Sequence, residues 1–289
     1  MADIDQSRLS IGIGSRFFWV IFLICTVTFF NFSPRGYSTF FGEPLTGYHS
    51  IKSDRYGASY FVPADYTPAR DWPLVVVMYS DESQKGSEFV EKWLKRITER
   101  GVIALFISYL RPQEAPHGSD RRLLRHLNKI KSMYSIDDRH VLLTAYGEAA
   151  HYAFYLGHRY PDMFSAVGME AGGAVGRYNS FLEQDQKNAK NVSFLILIGN
   201  QDETINQKPF LTDHQKLVAK GYNVTIESLE GFGHKPQGEF HDRILEWFGG
   251  LAPKPVDQIS ESRSEELSHG LFGLPRTLID RIRDFLKVN

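Results

Sequence analysis

The chain has 289 residues, and its 33 basic and 34 acidic residues leave a formal net charge of -1. Apolar residues make up 42% and charged residues 23%, which excludes a disordered, a collagen-like or a disulfide-scaffold protein. Because no excess of positive charge is present to attract a phosphate backbone, we expect no nucleic-acid partner. The only cysteine, Cys25, lies in an apolar segment, so the globular part has neither disulfide bonds nor thiolate chemistry.

Residues 1–36 contain an apolar segment that we interpret as an N-terminal membrane anchor. Residues 17–32 carry no charge and are flanked by Arg16 and Arg35. A spanning helix needs roughly 17–25 residues and a cleavable signal about 7–15 apolar ones, so this segment falls between the two. The absence of a small-residue cleavage motif after it favours the anchor over a cleaved, secreted form, and a buried core helix is a third alternative. A single N-terminal anchor usually places its domain outside the cytoplasm.

Apolar strands and amphipathic helices alternate from residue 50 to residue 250. Strands are predicted over residues 74–78, 102–107, 141–144, 164–169, 194–198 and 224–228, with helices around 89–97, 123–130, after 147, 210–218 and 240–248. Ser87 is a candidate N-cap and Gly101 a candidate stop for the first helix. This alternation predicts an α/β fold with a mostly parallel sheet covered by helices on both faces. In such sheets, sites form where loops leave the carboxyl ends of the strands.

The composition changes after residue 250. Residues 251–270 are rich in proline and polar side chains, which is typical of a linker. Residues 271–289 place Leu278, Ile282 and Phe285 at helical spacing, with basic residues opposite them. This pattern predicts a C-terminal amphipathic helix. The helix either packs on its own domain or binds a protein partner or a membrane surface.

The segment around Gly147 carries the most specific pattern in the chain. It reads Val-Leu-Leu-Thr-Ala-Tyr-Gly-Glu-Ala-Ala-His over residues 141–151, a strand that runs straight into a helix, and it continues through Pro161-Asp162-Met163-Phe164 to Ala171-Gly172-Gly173. Over about residues 55–250 the chain resembles the α/β-hydrolase superfamily, and within it the polyhydroxyalkanoate depolymerases and feruloyl esterases. In those enzymes the same stretch holds the G-x-S-x-G nucleophile elbow.

The resemblance implies two further site residues. Asp202 follows the strand over residues 194–198, and His234 lies in Gly231-Phe232-Gly233-His234. An acid and then a histidine downstream of the elbow is the chain order that α/β-hydrolases use. Asp202 and His234 are therefore the expected acid and base of a remnant catalytic pair.

The nucleophile itself is missing from the expected position. Ala145 and Ala149 stand where the flanking glycines of the elbow would be, and Gly147 stands in place of the serine. Glycine reaches a positive φ without a Cβ penalty, so the turn can form without strain. Glycine has no hydroxyl group, however, so no covalent acyl intermediate can form there. The G-x-S-x-G pattern does not occur elsewhere in the sequence either.

A second departure concerns the oxyanion hole. The resembled enzymes have a His-Gly pair at the end of the first buried strand, whereas this chain has Tyr79-Ser80 followed by Asp81 and Glu82. Loss of one oxyanion donor typically raises the barrier by about 2.7–4 kcal/mol. The other expected donor is the backbone N–H of Glu148, whose carboxylate would also oppose a developing negative charge.

These observations predict a membrane-tethered, esterase-like protein that is non-catalytic. We expect it to bind a small ester-like or acyl ligand, or a protein partner through its C-terminal helix, and to need no cofactor. No cluster of metal-ligand residues at ligand spacing is apparent in the sequence. The alternative is an active carboxylic ester hydrolase that uses another nucleophile or a water molecule activated by His234.

Overall fold

The computed structural model describes residues 45–54, 56–80, 84–109, 117–173, 187–204, 207–235 and 238–251. Its strands are β1 (Gly47–Ser50), β2 (Ala58–Val62), β3 (Trp72–Ser80), β4 (Ile103–Tyr109), β5 (Ile136–Tyr146), β6 (Ala166–Glu170), β7 (Ser193–Gly199) and β8 (Asn223–Leu229). Its α-helices are α1 (Gln84–Arg100), α2 (His117–Met133), α3 (Glu148–Arg159), α4 (Gln207–Ala219) and α5 (Gly238–Gly250). A short 3-10 helix, Lys187–Asn191, precedes β7.

The strands form one sheet in the order β1-β2-β4-β3-β5-β6-β7-β8. The pairs β1–β2 and β2–β4 are antiparallel, and every following pair is parallel. The mostly parallel sheet predicted from the sequence is therefore confirmed. The prediction missed β1 and β2, because both are short and no helix separates them.

Helices cover both faces of the sheet. The side chains of α2, α3 and α4 pack on one face with Leu74 and Val76 of β3, whereas those of α1 and α5 pack on the other face with Val75 and Val77. All four β3 side chains are completely buried. A central strand with two apolar faces reads as a continuous apolar run, which is why the sequence identified it.

Two local predictions for α1 have different outcomes. Gly101 follows the last residue of the helix and has a φ of +59°, as expected for a glycine that ends a helix. Ser87 is not the N-cap, because the helix already begins at Gln84. Polar residues fill the first turn of α1, so apolar periodicity alone places its start too late.

The predicted terminal segments lie outside the described residues. This applies to the anchor at residues 1–36, to all but the first residue of the linker at 251–270, and to the helix at 271–289. Within the described ranges, no helix has the length and apolar character needed to cross a membrane.

The parallel strands bring several loops to one edge of the sheet. β3, β5, β6, β7 and β8 point in the same direction, so the segments that follow them all leave from their carboxyl ends. The turn at Gly147, the Asp202 loop and the His234 loop all lie at this edge. This is where a parallel α/β sheet ordinarily places its site.

Candidate active site

The turn between β5 and α3 consists of one residue, Gly147. Its backbone has a φ of 60° and a ψ of -126°, a conformation that L side chains rarely adopt. Its N–H donates to the carbonyl oxygen of Glu170 (2.8 Å), and its own carbonyl accepts from the N–H of Ala150 (3.0 Å). These bonds attach the turn to β6 on one side and to the first turn of α3 on the other.

The preference for glycine at this turn comes from the backbone conformation and not from crowding by neighbouring atoms. A Cβ atom placed on Gly147 would meet no heavy atom of the described residues within 4 Å. With respect to those residues, a side chain at this position would have room above the sheet edge, and its cost would be that of the positive φ alone. A strained strand-to-helix turn is the geometry that a nucleophile elbow requires.

Small residues let the neighbouring segments approach the turn. Ala145 and Ala149 are buried on either side of it. Gly172 lies closer still, because a Cβ atom there would be 2.5 Å from the carbonyl oxygen of Gly147 and 2.6 Å from the Cβ of Ala150. The sequence analysis did not include Gly172 among the site residues. Gly172 must be a glycine because the segments that follow β5 and β6 lie in contact, and the spacing of residues in the sequence does not reveal that contact.

The structure brings Asp202 and His234 together. Nδ1 of His234 lies 2.8 Å from Oδ2 of Asp202, and the side chain of Asp202 is fully buried while that of His234 is 28% exposed. The N–H of Thr204 donates to the other oxygen, Oδ1, at 2.9 Å. Because the carboxylate accepts the proton on Nδ1, Nε2 is the ring nitrogen able to take a proton from a substrate or water.

The two loops that carry this pair are bonded to each other. The N–H of Gln201 donates to the carbonyl oxygen of Phe232 (2.9 Å), and that of Gly231 donates to Oδ1 of Asn200 (2.8 Å). Gly199 contributes by its lack of a side chain, since a Cβ there would lie 2.1 Å from the Phe232 carbonyl oxygen. The Asp202–His234 contact is thus set by the backbone as well as by its own hydrogen bond.

Tyr146 connects the pair to the turn. Its ring lies beside that of His234, with centroids 5.5 Å apart, and it directly precedes Gly147. Burial, together with the nearby carboxylates of Asp202 and Glu170, raises the pKa of Tyr146 to about 12. A phenol with a raised pKa is a poor source of phenolate at neutral pH, so this environment does not activate Tyr146 as a nucleophile.

The residues expected at the oxyanion side occupy the end of β3 and the start of α3. Tyr79 is half-buried, and its hydroxyl group donates to the carbonyl oxygen of Gly57 at 3.4 Å, on the loop before β2. Ser80 is the last residue of β3, and its backbone pairs with Tyr109. Glu148 begins α3 and is half-buried. Asp81 and Glu82 lie outside the described residues.

Two groups behind the turn were not found from the sequence. Glu170, the last residue of β6, and His241, in the first turns of α5, are both completely buried, and their side chains approach to 3.4 Å. Within the described part of the chain, no group of three or more His, Cys, Asp or Glu side chains is arranged to hold a metal ion. A single glutamate and a single histidine 71 positions apart form no motif, so only the fold reveals their contact.

Comparison with known proteins identifies the fold. The chain matches a protein described as a dipeptidyl aminopeptidase IV from Bacteroides ovatus ATCC 8483, with a TM-score of 0.56 and 16% identity over 72% of this chain and 36% of that one. It also matches a thermostable esterase, with a TM-score of 0.51 and 18% identity over 71% of this chain and 62% of that one. A third match is esterase 2 of Thermogutta terrifontis, with a TM-score of 0.51 and 14% identity over 74% of this chain and 99% of that one. The chain has an α/β-hydrolase fold.

These likenesses extend to the fold alone. The chain spans little more than a third of the length of the first of these proteins and less than two thirds of the thermostable esterase. No protein-family model matches the sequence, and no curated protein matches it. The fold implied by the resemblance to α/β-hydrolases is confirmed, while kinship with polyhydroxyalkanoate depolymerases or feruloyl esterases stays a prediction.

Proposed function

We propose that this protein is a membrane-tethered member of the α/β-hydrolase fold class whose esterase-like site binds without turning over. The observation that carries the proposal is the glycine at the elbow. In an α/β-hydrolase fold the strained residue between β5 and α3 holds the nucleophilic oxygen, and Gly147 has no side chain to supply one. The positive φ and the open space above the turn support the alignment of Gly147 with that position.

The other groups of the site fit this proposal. Tyr146 bears a hydroxyl group and lies next to the imidazole, and its raised pKa opposes its use as a nucleophile. The hydroxyl group of Tyr79 is bonded to the loop at Gly57. A developing oxyanion needs preorganised donors, and the negative charge of Glu148 at the start of α3 would work against it.

The retained site suits a ligand that resembles an ester. The partly exposed imidazole of His234 offers a hydrogen-bonding group, the ring of Tyr146 offers an aromatic surface, and the turn at Gly147 leaves space beside them. We propose a small acyl or aromatic ester-like ligand. The test is isothermal titration of the full-length protein with methyl ferulate and with butyrate, compared with a His234→Ala variant. Saturable binding that weakens in the variant is expected, and binding that is unchanged in it would contradict the assignment.

The second candidate is an active carboxylic ester hydrolase, and the intact Asp202–His234 hydrogen bond is the observation in its favour. Such a pair can act as a general base on a water molecule without a covalent intermediate. Turnover of short p-nitrophenyl esters by the wild-type protein separates the two candidates. The binding proposal predicts a rate equal to that of the buffer, whereas the hydrolase predicts turnover that disappears in Asp202→Asn and His234→Ala.

The N-terminal anchor and the C-terminal helix are separate parts of the proposal. We propose that residues 1–36 anchor the domain to a membrane, on its extracytoplasmic side, and that residues 271–289 recruit a protein partner. Carbonate extraction of membranes tests the anchor, because the full chain is expected to stay in the pellet and a chain without residues 1–36 to be released. Deletion of residues 271–289 tests the tail, since a large loss of thermal stability would show that the helix packs on its own domain.

A further inference from the structure

Glu170 and His241 form the one contact between charged groups in the described structure for which both side chains are completely buried. Nε2 of the imidazole lies 3.4 Å from Oε2 of the carboxyl group. No hydrogen bond to either side chain is present among the described residues. A buried carboxyl group is unfavourable without a polar or charged neighbour, and His241 is the neighbour of this kind that approaches the Glu170 side chain among the described residues.

The carboxyl group lies directly behind the elbow. The main-chain carbonyl of Glu170 accepts the N–H of Gly147, and Tyr146 is its register partner on β5. Its side chain is directed to the face of the sheet covered by α1 and α5, where His241 lies. One residue thus contacts both the turn and the helix that follows the His234 loop.

Aromatic side chains fix the orientation of the imidazole. The ring of His241 stacks on that of Trp93 with centroids 4.3 Å apart and an angle of 23°, and it meets Phe89 edge-on at 5.4 Å. Both aromatic residues belong to α1. The imidazole therefore has little freedom to turn away from Glu170, and its contact restrains the start of α5.

The start of α5 in turn restrains the loop that holds His234. The helix begins at Gly238, and Phe240 packs edge-on against Phe232 of the loop at 5.6 Å. Arg96 also bonds α5, through the carbonyl of Gly238 and the carboxylate of Asp242, both at 3.0 Å. That ion pair is partly exposed, and exposed pairs contribute little to stability. The Glu170–His241 contact, in contrast, is completely buried, so solvent and salt screen it much less.

We propose that Glu170 and His241 are positioning residues for His234. Through their contact, β6 and α5 hold the His234 loop so that the imidazole faces Asp202 and the elbow. This role extends beyond the proposed function, and it applies whether or not the site turns over, because it concerns the Asp202–His234 hydrogen bond itself.

The test uses the proton on Nδ1 of His234, which gives a low-field NMR resonance when it is donated to a carboxylate. The full-length protein is compared with Glu170→Ala, His241→Phe and the conservative Glu170→Gln, whose amide keeps the size and polarity of the side chain beside the imidazole. His158→Phe is the matched control, because His158 is also buried and bonds Tyr222 at 2.8 Å on the opposite face of the sheet. Thermal unfolding of each variant is recorded in parallel.

We expect Glu170→Ala and His241→Phe to fold and to lose the low-field resonance, with the amide of Gly231 exchanging about tenfold faster or more. Glu170→Gln and His158→Phe are expected to keep both signals. Retention of the resonance in folded Glu170→Ala, or its loss in His158→Phe, would overturn the proposal. Failure of both Glu170→Ala and His241→Phe to fold would overturn it too, because the pair would then be required for folding rather than for placing one loop.

Discussion

Replacement of Gly147 by serine would supply a hydroxyl group at the turn that we propose is an elbow without its nucleophile. Among the described residues, no heavy atom lies within 4 Å of a Cβ built at this position, so the side chain fits without displacing any of them. The new hydroxyl would stand at the turn that precedes α3, on the same sheet edge as His234. A serine next to an imidazole that is oriented by a carboxylate is the arrangement that activates a hydroxyl group.

The cost of this substitution comes from the backbone. Gly147 has a φ of 60° and a ψ of -126°, and holding a non-glycine residue in such a conformation costs about 1–3 kcal/mol. For a domain of this size each kcal/mol lowers the melting temperature by about 2–4 °C, so we expect the variant to melt roughly 2–12 °C below the wild type. Gly147→Ala is the matched control, since it bears the same strain without a hydroxyl group.

The assay is covalent labelling with a fluorophosphonate probe, read by intact-mass spectrometry. We expect Gly147→Ser to acquire one probe per chain and Gly147→Ala to acquire none. Ester turnover by Gly147→Ser is expected to stay low, because Tyr79 and Ser80 stand where the resembled enzymes have the His-Gly pair of the oxyanion hole. A folded Gly147→Ser variant that is not labelled would refute the reasoning, since it would show that residue 147 and the imidazole are not aligned.

Three further predictions follow from the same geometry. In the Gly147→Ser background, Asp202→Asn should slow labelling by on the order of 10³–10⁴-fold, because the amide favours the wrong imidazole tautomer. Gly172→Ala should lower the free energy of unfolding, measured in urea, by about 1–3 kcal/mol or more, because its Cβ would press on the elbow carbonyl. Burial alone would raise the pKa of Asp54, but the hydrogen bonds that its carboxylate accepts from Arg122 and His126 outweigh burial. The pKa of Asp54 therefore lies well below its usual range. The ionised Asp54 carboxylate therefore contributes its full stabilisation above about pH 4, and this contribution falls as the pH drops towards the folded-state pKa. The loss of unfolding free energy in Asp54→Asn, measured in urea, should therefore be smaller at pH 2 than at pH 7.

Most of the sheet could be predicted from the sequence because its central strands are buried on both faces. A strand that is buried on both faces is apolar at every position, as residues 74–78 are. The amphipathic helices between the strands indicate that neighbouring strands run parallel. The strands β1 and β2 were missed, because both are short and no amphipathic helix separates them. The start of α1 was placed late for a related reason, since its first turn is polar.

The candidate site was predictable where the chain order carries information. Gly147 lies between a strand and a helix, and Asp202 and His234 follow two later strands, so a parallel sheet brings all three to one edge. Gly172, Glu170 and His241 could not be identified in this way. Their roles depend on contacts across β6 and α5, which only the packing of the sheet against its helices defines.

The most direct test of the central claim is the mass of the wild-type protein after prolonged incubation with a fluorophosphonate probe at neutral pH. We expect an unchanged mass, because neither a side chain at position 147 nor the phenol of Tyr146 offers an activated oxygen. A stoichiometric adduct of one probe per chain, lost on His234→Ala, would contradict it, because some other oxygen would then be acting as the nucleophile.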